Sequence, residues 1–308
     1  TWLRESGVAV AAGTDDDVAA GRFGSARVAI LAYNPEPGRR ELAALERFTA
    51  RGGRLVVFYS ASQGLAGLMG LRLGDMQAAT TPGQWGGFRF TDAAIEGLPA
   101  RVAQESRLLR PAYPAGRSAR VIATWETSMG KPLSIPAWLA TDRGFWMTHV
   151  LLEGDVAAKK QMLIALLGAC DPAVRRAAAD HAVRTAGTLG RFRSAGEAIG
   201  AVSSRAAPGD SRTEALLAQA GRLHDEMVRA YRNGSYSHSL GTARLLDTAL
   251  TEAYARSPAP RTGEFRGVWN HSGLGLQPGS WDETCAVLAS HGLDAVFQVA
   301  RQLMAHVP

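Results

Sequence analysis

Residues 27–62 read RVAILAYNPEPGRRELAALERFTARGGRLVVFYSAS, and their pattern decides the fold. RVAILAY is a continuous apolar run, suited to a strand buried on both faces. In the segment that follows, Leu42, Leu45 and Phe48 fall on one helical stripe, and Gly52 and Gly53 supply its stop. RLVVFYS is a second buried strand, and ASQGLAGLMG reads as the short helix behind it. Strand, helix, strand, helix in succession predicts a parallel sheet with right-handed crossovers.

Outward from this unit, VAVAAGTDDD upstream predicts a short strand running into an acidic turn at Asp15, Asp16 and Asp17. Downstream, GDMQAATTPGQWGG reads as a loop around Trp85. RVIATWET, SIPAWLAT and GFWMTHVLL are three β-rich runs separated by turn residues, which predicts a meander attached to one edge of the sheet. DVAAKKQMLIALLGAC closes the domain as a helix, and Asp171-Pro172 starts the next one. From Pro172 to about Ser257 only helical patterns occur, the last two forming a hairpin broken at Asn233-Gly234. After the proline-bearing linker SPAPRTG, residues 264–300 (EFRGVWNHSGLGLQPGSWDETCAVLASHGLDAVFQVA) read as strand, loop, helix, strand. The expected division is an α/β domain at 1–171, a helical region at 172–258, and a linker with one β-α-β unit at 259–308.

A chain of 308 residues with 46% hydrophobic content has room for two or three packed units. The net charge of +6 raises nucleic acid as a partner, but the arginines are scattered and no basic run interleaved with aromatics occurs, so none is expected. No apolar run approaches the roughly 20 residues of a membrane span. The first residue is Thr1 rather than Met, which suggests a processed protein or a fragment, and leaves compartment, export and assembly open. Cys170 and Cys285, far apart in helical segments, read as small buried apolar residues rather than a disulfide or metal ligands. The Asp15–Asp17 cluster has the oxygen ligands for a hard cation but lacks the spacing of a calcium loop, so a solvated turn is favoured. Trp85 is read as a packed side chain in preference to a ligand contact.

The 27–62 stretch resembles the class I glutamine amidotransferase-like fold, a flavodoxin-like sheet. That resemblance implies a cysteine at a strained strand-to-helix elbow. Here the elbow reads YSASQG, with Ser60 and Ser62 and no cysteine, and the candidate base is His149 in MTHVLL, on a separate strand. A packed, non-catalytic domain is the expectation.

The 264–300 stretch resembles the start of the family 10 glycosyl hydrolase-like barrel, with RGVW as first strand and the helix ending at His291-Gly292 leading to the second. The order of the parts is similar to that of large bacterial members. The fold class that follows is α/β: an amidotransferase-like sheet domain, an all-α region, then a truncated (β/α) barrel start. The resemblance implies that Trp269, Asn270, His271 and Ser272, at the carboxyl end of the first barrel strand, bind sugar, by ring stacking and hydroxyl hydrogen bonds. The alternative is that Trp269 fills the barrel and His271 satisfies a backbone carbonyl.

Glycoside hydrolysis ordinarily takes two flanking carboxyl groups, which the resemblance places on later strands. After the first strand this chain has Asp282 and Glu283, suited to a helix start, and Asp294, at the far end of the barrel. No catalytic residue, metal or cofactor is therefore assigned. The leading reading is the accessory amino-terminal portion of a glycoside hydrolase acting on polysaccharide, itself inactive. A non-enzymatic binding or scaffold protein is the alternative, and a hydrolase using Ser60 or Ser62 is a third.

Overall fold

A computed structural model describes residues 1–257 except 93, 190–191 and 207–208, together with 267–270, 285, 288–289, 293 and 295–298. The chain forms two compact units, residues 1–181 and 182–308.

The first unit opens with two short helices, α1 (Trp2–Glu5) and α2 (Asp15–Ala19). Residues 8–13 form no strand, contrary to the sequence expectation. The acidic triplet instead starts α2: Thr14 and Asp17 make a reciprocal capping box, and three carboxylates sit where the helix dipole favours them. Then come β1 (Val28–Leu31), α3 (Arg39–Ala50), β2 (Arg54–Val57) and α4 (Gln63–Leu68), as the 27–62 pattern predicts. β1 pairs parallel with β2, Val28 to Arg54 through Leu31 to Val57. β1 lies at the sheet edge and is only half-buried, whereas β2 is central and carries the fully buried Leu55, Val56 and Val57.

Small paired strands follow. β3 (Leu71–Leu73) lies on β8 (Ala112–Pro114), and β4 (Gln77–Ala78) on β7 (Leu108–Leu109). Between them lie β5 (Trp85–Phe90) and β6 (Arg101–Ser106), and after them β9 (Ala119–Glu126), β10 (Pro132–Thr141) and β11 (Gly144–Met147). The main sheet has the order β1-β2-β11-β10-β9-β5-β6. The β9-β10-β11 meander is not an edge attachment. It inserts β11 parallel to β2, and β9 carries the sheet onward to β5 and β6. The unit is thus mixed α/β, parallel across β1, β2 and β11 and antiparallel beyond.

Alternation along the central strands makes two cores. Leu55, Val57, Leu139 and Trp146 face α3 and α4, meeting Leu45, Phe48, Leu65 and Ala66. Val56, Phe145, Met147 and Trp138 face the other way, onto Met162, Leu163 and Leu166 of α5 (Val156–Cys170). Trp85 opens β5 instead of lying in the expected loop, but it is buried in this second core, as the packed reading expected. α6 (Pro172–Thr185) follows, its first turn tied by Ala173 N–H donating to Asp171 Oδ1 at 3.1 Å.

The second unit contains α7 (Ala195–Ser203), α8 (Ser211–Arg232) and α9 (Tyr236–Arg256). α8 and α9 form the predicted hairpin around Ala220, Met227, Leu246, Leu250 and Ala253. Beyond it, β12 (Gly267–Asn270) pairs parallel with β13 (Ala295–Gln298). Cys285, Leu288 and Ala289 are helical. Cys285 is exposed rather than buried, Leu288 being the buried position there. Among the described residues no helix is long and apolar enough to cross a membrane.

Gly144 fixes how closely β11 lies on β2. Its φ is +131°, and a Cβ there would stand 1.9 Å from Leu55 O. Gly144→Ala is expected to cost about 3 kcal/mol or more in urea unfolding, from strain and forced separation of the strands. Gly116→Ala, with open space around it, is expected to stay within about 0.5 kcal/mol of the parent. Equal stabilities for the two variants would refute this account of β11.

Candidate functional site

Because β1, β2 and β11 run parallel, their carboxyl ends lie along one edge of the sheet. Open α/β sheets place ligands outside that edge. Three loops leave it: residues 32–35 after β1, 58–62 after β2 and 148–155 after β11.

The first two loops are bonded to each other. Ala61 N–H donates to Pro35 O at 2.8 Å and Asn34 N–H to Tyr59 O at 3.4 Å. Ser60, buried, donates its Oγ–H to Pro35 O at 3.1 Å and accepts from Ser62 N–H at 3.1 Å. Ser62 Oγ accepts from Leu65 N–H at 3.2 Å and so caps α4. Both elbow hydroxyls are thus committed to backbone groups. The tyrosines next to them stack: Tyr33 and Tyr59 have ring centroids 5.6 Å apart at 13°, and Tyr33 is 63% exposed. Asn34 Nδ2 donates to Asp15 Oδ1 at 3.2 Å, bringing α2 to the same edge.

His149 does not hydrogen-bond either elbow serine. Its Nδ1 lies 2.8 Å from Val150 O, which places a proton on that nitrogen, and Gln104 Nε2 approaches it at 3.4 Å. Burial pushes the imidazole pKa down, the contact with Val150 O opposing, so the neutral ring is favoured.

No protein-family model matches this chain, and no curated protein matches it either.

The third loop is strapped down by buried polar side chains. Thr148 Oγ1 donates to Pro136 O and accepts from Trp125 Nε1–H, each at 2.9 Å. Gln104 donates to Val150 O at 2.9 Å and accepts from Leu152 N–H at 3.0 Å. Lys159, fully buried on α5, gives its Nζ to Leu152 O at 2.8 Å and Glu153 O at 3.4 Å. Asp155 sits at φ +45°, and its Oδ2 accepts from Ala103 N–H at 2.7 Å. Farther along the sheet, fully buried Glu126 bridges Arg89, at 3.2 Å, and Arg101, both half-exposed. Sequence reasoning found none of Gln104, Lys159 or Glu126. The one visible signal was Lys159 in a helix that turns wholly non-polar from Met162 onward.

The remaining sequence candidates fare unevenly. Asp17 is consumed by Thr14 and Arg22, whose hydrogen bonds hold its carboxyl near pKa 2. Among the described residues no group of three or more His, Cys, Asp or Glu is placed to hold a metal ion. Cys170, half-buried, has its thiol pushed up to about 12 by desolvation, which makes it unreactive. Trp269 and Asn270 are the last two residues of β12. His271, Ser272, Asp282, Glu283 and Asp294 lie outside the described residues.

Desolvation lowers the Lys159 pKa to about 8 from 10.5, the charge of Asp155 opposing. Between those pH values the unfolded chain binds more protons than the folded one, so this group makes stability rise with pH there. Below about pH 8 the amine is charged in both states and the full burial penalty persists. The parent chain should therefore gain on the order of 3 kcal/mol relative to Lys159→Met from pH 8 to 10.5. Denaturant titrations at both pH values measure it, and parallel profiles would contradict the assignment.

Proposed function

We propose that this chain is the non-catalytic amino-terminal portion of a family 10 glycosyl hydrolase-like protein acting on polysaccharide. Its α/β unit is a flavodoxin-like, amidotransferase-like accessory domain, and α7 to α9 form a spacer. Residues 267–298 are the opening of the barrel, with Trp269, Asn270, His271 and Ser272 at its sugar-binding end. The observation that carries the accessory role is the bonding of the elbow. Ser60 and Ser62, the positions where an amidotransferase-like nucleophile would stand, spend their hydroxyls on Pro35 O and on the cap of α4. A serine becomes a nucleophile when a base takes its proton, and the hydrogen of Ser60 already points at a carbonyl. The parallel register of β12 on β13 supports the strand-helix-strand reading of the barrel segment.

The expected behaviour is retention without turnover. The purified chain should be held on at least one insoluble polysaccharide among cellulose, xylan and chitin, and release no reducing ends. A fluorophosphonate probe should leave Ser60 and Ser62 unmodified by peptide mass spectrometry, and Ser62→Ala should cost about 1 kcal/mol of stability as a lost helix cap. Labelling of either serine, or glycan cleavage lost with one of the chain's own carboxylates, would reverse the proposal.

A further inference from the structure

The carboxyl edge of the parallel strands carries an aromatic ring with most of its surface in water. Tyr33 extends from the loop after β1, 63% exposed, with its other side stacked on half-buried Tyr59. The ring is not there by default of a floppy loop. Its loop is pinned to the 59–62 loop by Ala61 N–H and Ser60 Oγ–H on Pro35 O and by Asn34 N–H on Tyr59 O. An exposed aromatic held this firmly loses little entropy when something stacks on it.

What stands beside the ring selects the ligand. Asn34 Nδ2 holds Asp15 Oδ1, leaving the Asn34 amide oxygen and the second Asp15 oxygen as acceptors with no hydrogen bond among the described residues. Glu36 is exposed two positions farther on. Acceptors and carboxylates repel phosphate-bearing or acidic ligands and accept hydrogen bonds from hydroxyls. A single stacked ring is not the multi-walled cage that holds quaternary ammonium groups. An apolar ring face flanked by acceptors matches a sugar ring, which has one C–H face and a rim of hydroxyl donors.

We propose that Tyr33, backed by Tyr59 and flanked by Asn34 and Asp15, is a binding subsite for a neutral glycan. The Tyr33 ring stacks on the C–H face of a pyranose, and the Asn34 and Asp15 oxygens accept from its hydroxyls. The subsite deepens the accessory reading above and rests on it, placing the glycan contact in the first unit, separate from the barrel segment.

The test uses the full 308-residue chain, first on insoluble cellulose, xylan and chitin, then by calorimetric titration with the hexasaccharide of whichever polymer retains it. Tyr33→Ala should weaken hexasaccharide binding about tenfold or more. Tyr33→Trp should preserve it, Asn34→Ala should weaken it several-fold, and Leu245→Ala, an exposed residue on α9, should leave it unchanged. Parent and Tyr33→Ala bound with equal affinity would overturn the subsite while leaving the accessory function standing. A parent retained by none of the three polymers would overturn both. Displacement by tetramethylammonium, with affinity falling steeply as salt rises, would overturn the glycan assignment in favour of a cationic ligand.

Discussion

The first unit depends on one contact, β11 lying flush against β2. Gly144 opposes Leu55, Phe145 opposes Val56 and Trp146 opposes Val57. That register sorts the side chains, because in a strand successive residues face opposite sides. Trp146 joins Val57 over α3 and α4, while Phe145 joins Val56 over α5. A slip of one residue would send Trp146 into the α5 core and Phe145 into the other. Each core is a cluster of buried side chains, and exchanging Trp146 with Phe145 would change the volume that each must hold.

Forcing β11 between β2 and β10 creates a second problem, at its exit. The chain must travel from the carboxyl end of β11 to α5 across residues 148–155, and the buried and half-buried part of it, 148–152, needs partners for its backbone groups. Gln104 from β6 and Lys159 from α5 supply partners for the carbonyls of Val150, Leu152 and Glu153 and the amide of Leu152. Asp155 takes a left-handed backbone and still serves Ala103 N–H. Burying an ammonium is costly, and the hydrogen bonds it gives to Leu152 O and Glu153 O offset part of that cost. The strap is therefore architecture, and its polar groups are spent on the backbone.

How much of this was legible follows from range. The β1-α3-β2-α4 series could be read because each element declares itself locally: the Leu45-Phe48 stripe, the Gly52-Gly53 stop, the apolar run of β2. The helices from α5 to α9 were legible for the same reason. The placement of β11 was not, since GFWM reads identically at an edge or in the centre and only pairing with a strand almost 90 residues earlier decides it. β5 was hidden by its glycines. Gly86 and Gly87 look like loop residues, but a Cβ at Gly86 would strike the Ser128 backbone at 2.5 Å and one at Gly87 would meet Val102 O at 2.8 Å. Close approach selected glycine there, not a turn. β6, with Gln104, Glu105 and Ser106, hides its strand character because Gln104 and Ser106 are polar yet buried. At the candidate site, Ser60 and Ser62 could be named from sequence, but the direction of their hydrogen bonds could not.

The bonds that engage the elbow also tie the edge loops to each other. A nucleophile must yield its proton to a base, whereas Ser60 already donates its hydrogen to Pro35 O and Ser62 Oγ accepts from Leu65 N–H as the cap of α4. A binding surface has the opposite requirement, a ring held still with its face in water. The bonds to Pro35 O that commit Ser60 are those that hold the 33–35 loop against Tyr59. One hydrogen-bond set thus restrains the Ser60 hydroxyl and holds the 33–35 loop in place. Parallel strands bring the loops to a common edge, the elbow serines stitch them together, and the tyrosine they present is left facing solvent.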